Sequence, residues 1–220
     1  MKKILCAIMI LVTVLLSGCG GIAKKYDDSI SELRDGLQKG SNESYSVEMI
    51  SGYREEPFEI DGERSGRVDY TLITVTPKGA TGSATLELSV VGENVSYSGT
   101  AVMHPYKQSY SLELATRIST PVTVTVNGSA VELKSVRAEG EIGYERALEV
   151  AFDELSNPLG EYKNGSKFIG EIFIRYVSNP VSTENRYYWY VAFIPKDDCD
   201  KIIAALIDPV TGRVEAKREA

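Results

Sequence analysis

The stretch 122–133, Val-Thr-Val-Thr-Val-Asn-Gly-Ser-Ala-Val-Glu-Leu, carries the clearest structural pattern in the chain. Apolar and polar residues alternate on both sides of Asn127-Gly128. That dipeptide favours a two-residue type I′ turn because both of its positions need a positive φ. The turn sets three pairs on one face: Val126 with Ser129, Val124 with Val131, and Val122 with Leu133. The sequence therefore predicts a hairpin with a fixed register and one buried side.

The hairpin closes a longer β-rich segment, residues 44–138. Thr, Val, Tyr and Ser dominate this segment, and turn signals recur at the short intervals typical of antiparallel strands. The other candidate strands are 45–51, 67–76, 83–91, 94–102 and 109–116. A series of short strands without intervening helices predicts an antiparallel β-sandwich of about 95 residues.

The segment before it, residues 19–43, is expected to hold a tether and a short helix over 29–38. Ser29 and Glu32 have the spacing of a capping box. Ile30, Leu33 and Leu37 fall on one helical face, and Gly40 follows as a stop signal.

The pattern changes after about residue 139, where a helix over 144–155 is predicted. Its apolar stripe contains Tyr144, Ala147, Leu148, Ala151 and Leu155, and its opposite side carries Glu145, Glu149 and Asp153. Strands are expected near 169–177, 186–194, 201–208 and 212–218, with a turn at 208–212. One helix followed by an antiparallel sheet predicts a small α+β module over 139–220.

This last part of the chain resembles a PepSY-type domain. The resemblance lies in the helix 143–151 (GYERALEVA), the strand 187–193 (YYWYVAF) and the ending 206–214 (LIDPVTGRV). In that family a helix packs on a small antiparallel sheet that closes with a D-x-x-T-G-x-V turn. The resemblance implies a secreted or membrane-anchored protein that binds or restrains a peptidase, and it brings no catalytic residues.

The first residues have the form of a signal peptide, assigned to 1–18. Lys2 and Lys3 precede the apolar run 4–16, which is shorter than the roughly 20 residues of a membrane span. The run ends in Leu-Ser-Gly-Cys19, which resembles the lipobox of bacterial lipoproteins. The resemblance implies cleavage before Cys19 and acylation of its thiol, so that the lipid holds the body on the extracytoplasmic side of a membrane. An ordinary secretory signal with a chance cysteine is the alternative.

Composition limits the possible functions. The chain has 220 residues, of which 43% are hydrophobic and 25% charged, as expected for a packed globular protein. Its net charge of −7 argues against nucleic acid as a partner, because phosphate binding needs a basic face. No nucleophile, metal-binding or phosphate-binding motif occurs, so we expect no enzymatic activity, cofactor or metal. An acid–base pair of Asp and Glu would carry no sequence signature, which leaves an enzyme as a third class.

The densest aromatic cluster is Tyr-Tyr-Trp-Tyr at 187–190. An exposed aromatic surface there could bind a sugar or a Pro-rich peptide, which makes Tyr188, Trp189 and Tyr190 candidate contacts. The alternative is a central strand buried on both faces, and the apolar run that continues through 191–193 favours it.

Other polar groups fit ordinary structural roles. His104 has no second ligand nearby, and the acidic residues around Cys199 lack EF-hand spacing, so we expect a loop imidazole and a solvated hairpin tip. Cys199 is expected to be a turn residue, with a reactive thiol as the alternative. An exposed hairpin is expected for the acidic stretch, which comprises Glu55, Glu56, Glu59, Asp61 and Glu63.

The sequence thus predicts a non-catalytic envelope lipoprotein that binds a protein or peptide through its C-terminal module, with a peptidase as one such partner. The alternative is a binding module for a glycan or small ligand that uses the β-sandwich or the Tyr-rich strand.

Overall fold

The computed structural model describes residues 21–80, 82–165, 167–179 and 186–219. The chain forms two compact units. The β-unit comprises Ser31–Glu59 and Ser65–Glu141, and the C-terminal unit comprises Ile60–Arg64, Ile142–Ala220 and the segment that ends at Ile30. The predicted signal segment 1–18 and Cys19 lie outside the described residues. Within the described ranges, no helix is both long and apolar enough to cross a membrane.

In the described residues of the β-unit, the regular elements are antiparallel strands. They are β1 (Ile30–Ser41), β2 (Tyr45–Glu56), β3 (Gly66–Pro77), β4 (Thr85–Gly92), β5 (Val95–Met103), β6 (Tyr110–Leu114), β7 (Val122–Val126), β8 (Ser129–Glu132) and β9 (Lys134–Ser135). Their order is β9-β1-β2-β3-β6 on one side and β5-β4-β7-β8 on the other. The two sides are joined by two β5–β6 pairs and by the chain where β8 passes into β9. The mostly β prediction is confirmed, and the arrangement is consistent with a β-sandwich.

The hairpin predicted at Asn127-Gly128 is confirmed in its turn and in its register. Asn127 has φ 47° and Gly128 has φ 85°, as a type I′ turn requires. Val126 pairs with Ser129 and Val124 with Val131. The Leu133 N–H donates to the Val122 carbonyl at 2.9 Å, which completes the third pair.

One apolar core fills the β-unit. Inward side chains of β2 to β8, together with one residue after β6 and one after β8, pack into a single cluster: Val47, Met49, Ile73, Val75, Leu86, Leu88, Val90, Ala101, Tyr110, Leu114, Ile118, Val122, Val124, Val126, Val131 and Leu133. Burial of this apolar surface is the main stabilisation of the unit, at about 25 cal/mol per Å².

The helix predicted over 29–38 is wrong, because these residues belong to strand β1. The strand pairs with β2 from Glu32↔Arg54 to Ser41↔Ser46, with a bulge between Arg34 and Gly36. The first four residues of the strand, Ile30 to Leu33, are all buried. A strand segment buried on both faces does not show the apolar–polar alternation by which a strand is recognised in the sequence. A helix of ten residues is marginal without strong packing, whereas β2 offers a long ladder of hydrogen bonds. The short helix in this region lies earlier, at α1 (Gly21–Tyr26).

In the C-terminal unit, a 3₁₀ turn (Asp27–Ser29) follows α1, and the remaining helices are α2 (Tyr144–Glu154) and α3 (Ser156–Gly160). The strands are β10 (Lys163–Asn164), β11 (Lys167–Phe168), β12 (Gly170–Ser178), β13 (Tyr187–Pro195), β14 (Ile203–Ile207) and β15 (Val214–Glu219). The last four form an antiparallel sheet in sequential order. The predicted helix and four strands are therefore confirmed.

Helix α2 packs on one face of this sheet through Phe152. Its ring meets that of Phe193 on β13 at 4.8 Å and stacks on Tyr26 of α1 at 4.1 Å. Glu149 was predicted on the side of the helix opposite the apolar stripe. Glu149 is buried, and its carboxylate accepts a 2.9 Å hydrogen bond from Arg146. That ion pair allows the carboxylate to be buried.

Candidate functional site

The three aromatic candidates lie on β13, a central strand of the C-terminal sheet. Trp189 has no exposed surface, and its Nε1 donates to the Ile142 carbonyl at 3.0 Å. Tyr188 is buried and Tyr190 is half-buried. Successive residues of a strand point to opposite faces, so the structure does not bring the three side chains together on an exposed surface.

The other polar candidates are found in local structural roles. His104 is half-buried, and its Nδ1 accepts a hydrogen bond from the Tyr106 N–H at 3.1 Å. Cys199 is exposed in a turn with Asp197, Asp198 and Asp200 around it. In the described part of the chain, no three His, Cys, Asp or Glu side chains are grouped as metal ligands.

The acidic stretch spans the end of β2 and the connection to β3, and it is exposed except at two residues. Glu55 is buried, and its Oε2 accepts a 3.0 Å hydrogen bond from the Ser65 N–H. Gly62 is also buried, and its N–H donates to Glu171 Oε2 at 2.7 Å. A side chain at Gly62 would collide with the Lys196 backbone, so this glycine permits the close approach.

A buried polar cluster that the sequence did not reveal lies in the β-unit. Glu32 on β1 has no exposed surface, and its Oε1 accepts hydrogen bonds from Arg34 Nε at 2.6 Å and from the Tyr70 hydroxyl at 3.1 Å. Burial and the neighbouring Glu32 carboxylate raise the pKa of Tyr70 to about 12. These groups have one another as partners inside the unit, which indicates a structural role.

Strand β5 has an open edge, defined here as the side of Val95–Ala101 that faces away from β4. On its other side β5 pairs with β4 from Thr85↔Val102 to Gly92↔Val95. Toward β6 it pairs only at Val102↔Ser111 and Met103↔Tyr110. Among the described residues, no strand pairs with Val95–Ala101 on the open side.

The register identifies which backbone groups reach that side. Met103 N–H donates to the Ala84 carbonyl at 3.1 Å, so odd-numbered residues of β5 are the ones that bond to β4. The register is consistent on β4 as well. The Glu87 carbonyl accepts a hydrogen bond from the Asn127 N–H at 3.0 Å, so it points toward β7 and not toward its cross-strand neighbour Thr100 on β5. The N–H and C=O groups of Ser96, Ser98 and Thr100 therefore point to the open edge.

The open edge has few of the features that block strand addition. Natural proteins protect edge strands with Lys, Pro, bulges or covering loops. Strand β5 (VSYSGTAVM) contains no charged residue, no proline and no bulge against β4. Tyr97, with 40% of its surface exposed, and the exposed Val102 and Met103 extend apolar surface along the strand.

A cavity of about 440 Å³ lies at the Met103 end of β5. Pro77, Ala80, Met103 and Tyr110 give it an apolar lining, and Lys78 and Gln108 give it a polar one. The cavity lies beyond the two β5–β6 pairs and outside the open edge.

Comparison with known proteins gives no match: no family model, curated protein or solved structure is significantly similar to the chain.

Proposed function

We propose that this protein is a non-catalytic, lipid-anchored protein of the bacterial envelope that binds a partner protein by strand addition at the open edge of β5. The single observation that carries the binding role is the row of unpaired backbone groups at Ser96, Ser98 and Thr100. An extended segment of a partner would bond to these groups and continue the sheet.

The burial of Trp189 argues against β13 as the contact surface. The sequence made Tyr188, Trp189 and Tyr190 candidate contacts, with a buried central strand as the favoured alternative, and Trp189 is fully buried and hydrogen-bonded inside the C-terminal unit. An alanine at that position would report on folding, since truncation of a buried Trp costs about 3–5 kcal/mol. The open edge presents both the backbone groups and the apolar surface that recognition of an extended segment needs.

The lipobox-like sequence at Cys19 supports the anchor, and the PepSY-like motifs of 141–218 support a peptidase as one class of partner. In that arrangement the lipid holds the protein at the outer face of the membrane. The body then meets its partner in the envelope, without covalent chemistry of its own.

The test uses the detergent-solubilised protein as bait in envelope extract, together with two variants at one position. Ser98→Pro removes an N–H that faces the open edge, and proline is tolerated on such edges. Ser98→Ala keeps the N–H and is the matched control. Thermal unfolding of both variants first verifies that the fold is kept.

We expect a specific protein to be recovered by the wild type and by Ser98→Ala, and to be lost with Ser98→Pro. Equal recovery by all three would contradict strand addition. Recovery of cell-wall glycan alone would instead favour the glycan-binding alternative.

A further inference from the structure

We propose that the segment which adds to β5 is basic and alternates apolar with Lys or Arg residues; this rests on the proposed strand addition. A strand added to an edge turns successive side chains to the two faces of the sheet. The two faces of β5 therefore specify two different sets of side chains in the partner.

The inner face at the open edge is apolar. Tyr97 lies on the same face as its cross-strand neighbour Val90, which is fully buried. A Cβ at Gly99 would come within 3.1 Å of the Leu112 side chain on β6, so the glycine lets Leu112 reach the edge. A partner side chain that enters between Tyr97 and Leu112 must be apolar to be buried without cost.

The outer face at the open edge is acidic. From residue 79 to residue 106 the chain contains Glu87 and Glu93 but no Lys, Arg or Asp. Glu87 lies beside Thr100, whose Oγ1 donates to it at 3.0 Å, and Glu93 lies at the β4–β5 turn. Neither carboxylate forms an ion pair with a cationic side chain of the described residues.

Distance favours long cationic side chains in the partner. Strands lie about 4.8 Å apart, so an added strand is two spacings, or about 10 Å, from the β4 residue Glu87. The extended side chain of Lys or Arg spans most of that gap across Thr100. On β6, Glu113 is already paired with Arg54 at 2.7 Å, which leaves Glu87 and Glu93 as the charges that select the partner.

The same charges disfavour a second copy of this chain. Two β5 strands paired edge to edge would bring two sets of Glu87 and Glu93 together with no cation between them. Each copy also carries a net charge of −7, and like charges across an interface weaken association.

The test measures binding of two capped heptapeptides, Thr-Lys-Val-Lys-Val-Lys-Thr and Thr-Glu-Val-Glu-Val-Glu-Thr, to the full chain in detergent. We expect the Lys peptide to bind at least about tenfold more tightly at low salt, and the difference to shrink in about 0.5 M salt. N-methylation of its lysine backbone nitrogens is the control for backbone pairing. In an antiparallel pair the residues opposite Ser96 and Ser98 lie on the same outer face and point their N–H groups at β5, so this change should abolish binding.

A double substitution, with a matched double substitution as its control, tests whether Glu87 and Glu93 cause the preference for the Lys peptide. Glu87→Lys with Glu93→Lys should reverse the preference toward the Glu peptide. Glu43→Lys with Glu132→Lys makes the same change of net charge at exposed positions outside β4 and β5, and it should keep the preference for Lys.

Equal binding of both peptides, with loss of both in Ser98→Pro, would overturn the charge proposal and leave strand addition intact. The charge proposal would also be overturned if the Glu87→Lys/Glu93→Lys variant still preferred the Lys peptide. It would be overturned as well if the wild-type protein formed a dimer that Ser98→Pro abolished, because the open edge would then pair with a second copy of this chain. Binding unchanged by Ser98→Pro would contradict the proposed function itself.

Discussion

Asp208 shows how one side chain can organise a turn. Its Oδ1 accepts hydrogen bonds from the Thr211 N–H at 2.7 Å and from the Val210 N–H at 2.9 Å. The backbone bond from Thr211 is the largest cause that lowers the pKa of Asp208 below its usual value. The sequence predicted this turn, because the Asp-Pro-Val-Thr-Gly pattern contains its own hydrogen-bonding groups.

Asp208→Asn is therefore expected to reduce stability in a pH-dependent way. A carboxylate with a lowered folded pKa contributes stability above its unfolded pKa of about 3.9 and loses it as the pH falls through the folded value. Urea unfolding should show a difference from wild type of less than about 1 kcal/mol at pH 7, because the site is partly open to solvent. The difference should shrink as the pH falls below about 3.9 and through the folded pKa, and a difference that stays constant with pH would contradict this explanation. Asp197→Asn, an exposed acid outside the turn, is the control.

Tyr70 is expected to matter for stability through its hydroxyl. Tyr70→Phe keeps the ring and the Arg54 guanidinium at 4.7 Å from its centre, but it removes the donor to buried Glu32. We expect the free energy of unfolding to fall by about 1–3 kcal/mol. Tyr97→Phe, at an exposed ring, should change it by less than about 0.5 kcal/mol. Equal effects of the two substitutions in urea unfolding would contradict a structural role for the cluster.

At the scale of the element, local signals predicted local structure well. The hairpin at Asn127-Gly128 is specified within 12 residues by turn chemistry and alternation, and it formed in the expected register. The strand at 30–41 has an apolar spacing that also fits a helix, and only its ladder with β2 determines the outcome. Pairing between distant segments is a tertiary property, so helical spacing alone was misleading.

Gly128 provides a direct test of the turn. Its φ of 85° is unfavourable for residues with a Cβ, so Gly128→Ala should destabilise the protein by about 1 kcal/mol. Gly66→Ala is the matched control, since no atom lies within 4 Å of the added Cβ and its φ is not in the left-handed region. Thermal or urea unfolding measures both variants, and equal effects would contradict a type I′ turn.

The open edge could not be predicted from the sequence for a related reason. The pattern of 94–102 indicated a strand but not its neighbours. Pairing of β5 with β6 is confined to Val102 and Met103, and the extent of this pairing depends on how the two sides of the β-unit pack, which is a tertiary property. The candidate contacts at 188–190 were placed on an aromatic pattern, which a buried central strand also produces.

At the scale of the whole molecule, the anchor is the first expectation to test. Cys19→Ala removes the thiol that would carry the lipid, so the protein should move from the membrane fraction to the soluble fraction of the envelope. Cys199→Ala is the matched control and should leave the protein in the membrane fraction. Retention of the Cys19 variant in membranes after a salt wash would contradict lipid anchoring.

The most direct test of the binding role is residue-resolved amide hydrogen exchange along β5. In the free protein we expect slow exchange at Tyr97, Gly99 and Ala101, which bond to β4, and fast exchange at Ser96 and Ser98, which face the open edge. Addition of the Lys-containing heptapeptide should slow exchange at Ser96 and Ser98. Protection of these two amides in the free protein, or no change there when the peptide is added, would contradict a binding edge at β5.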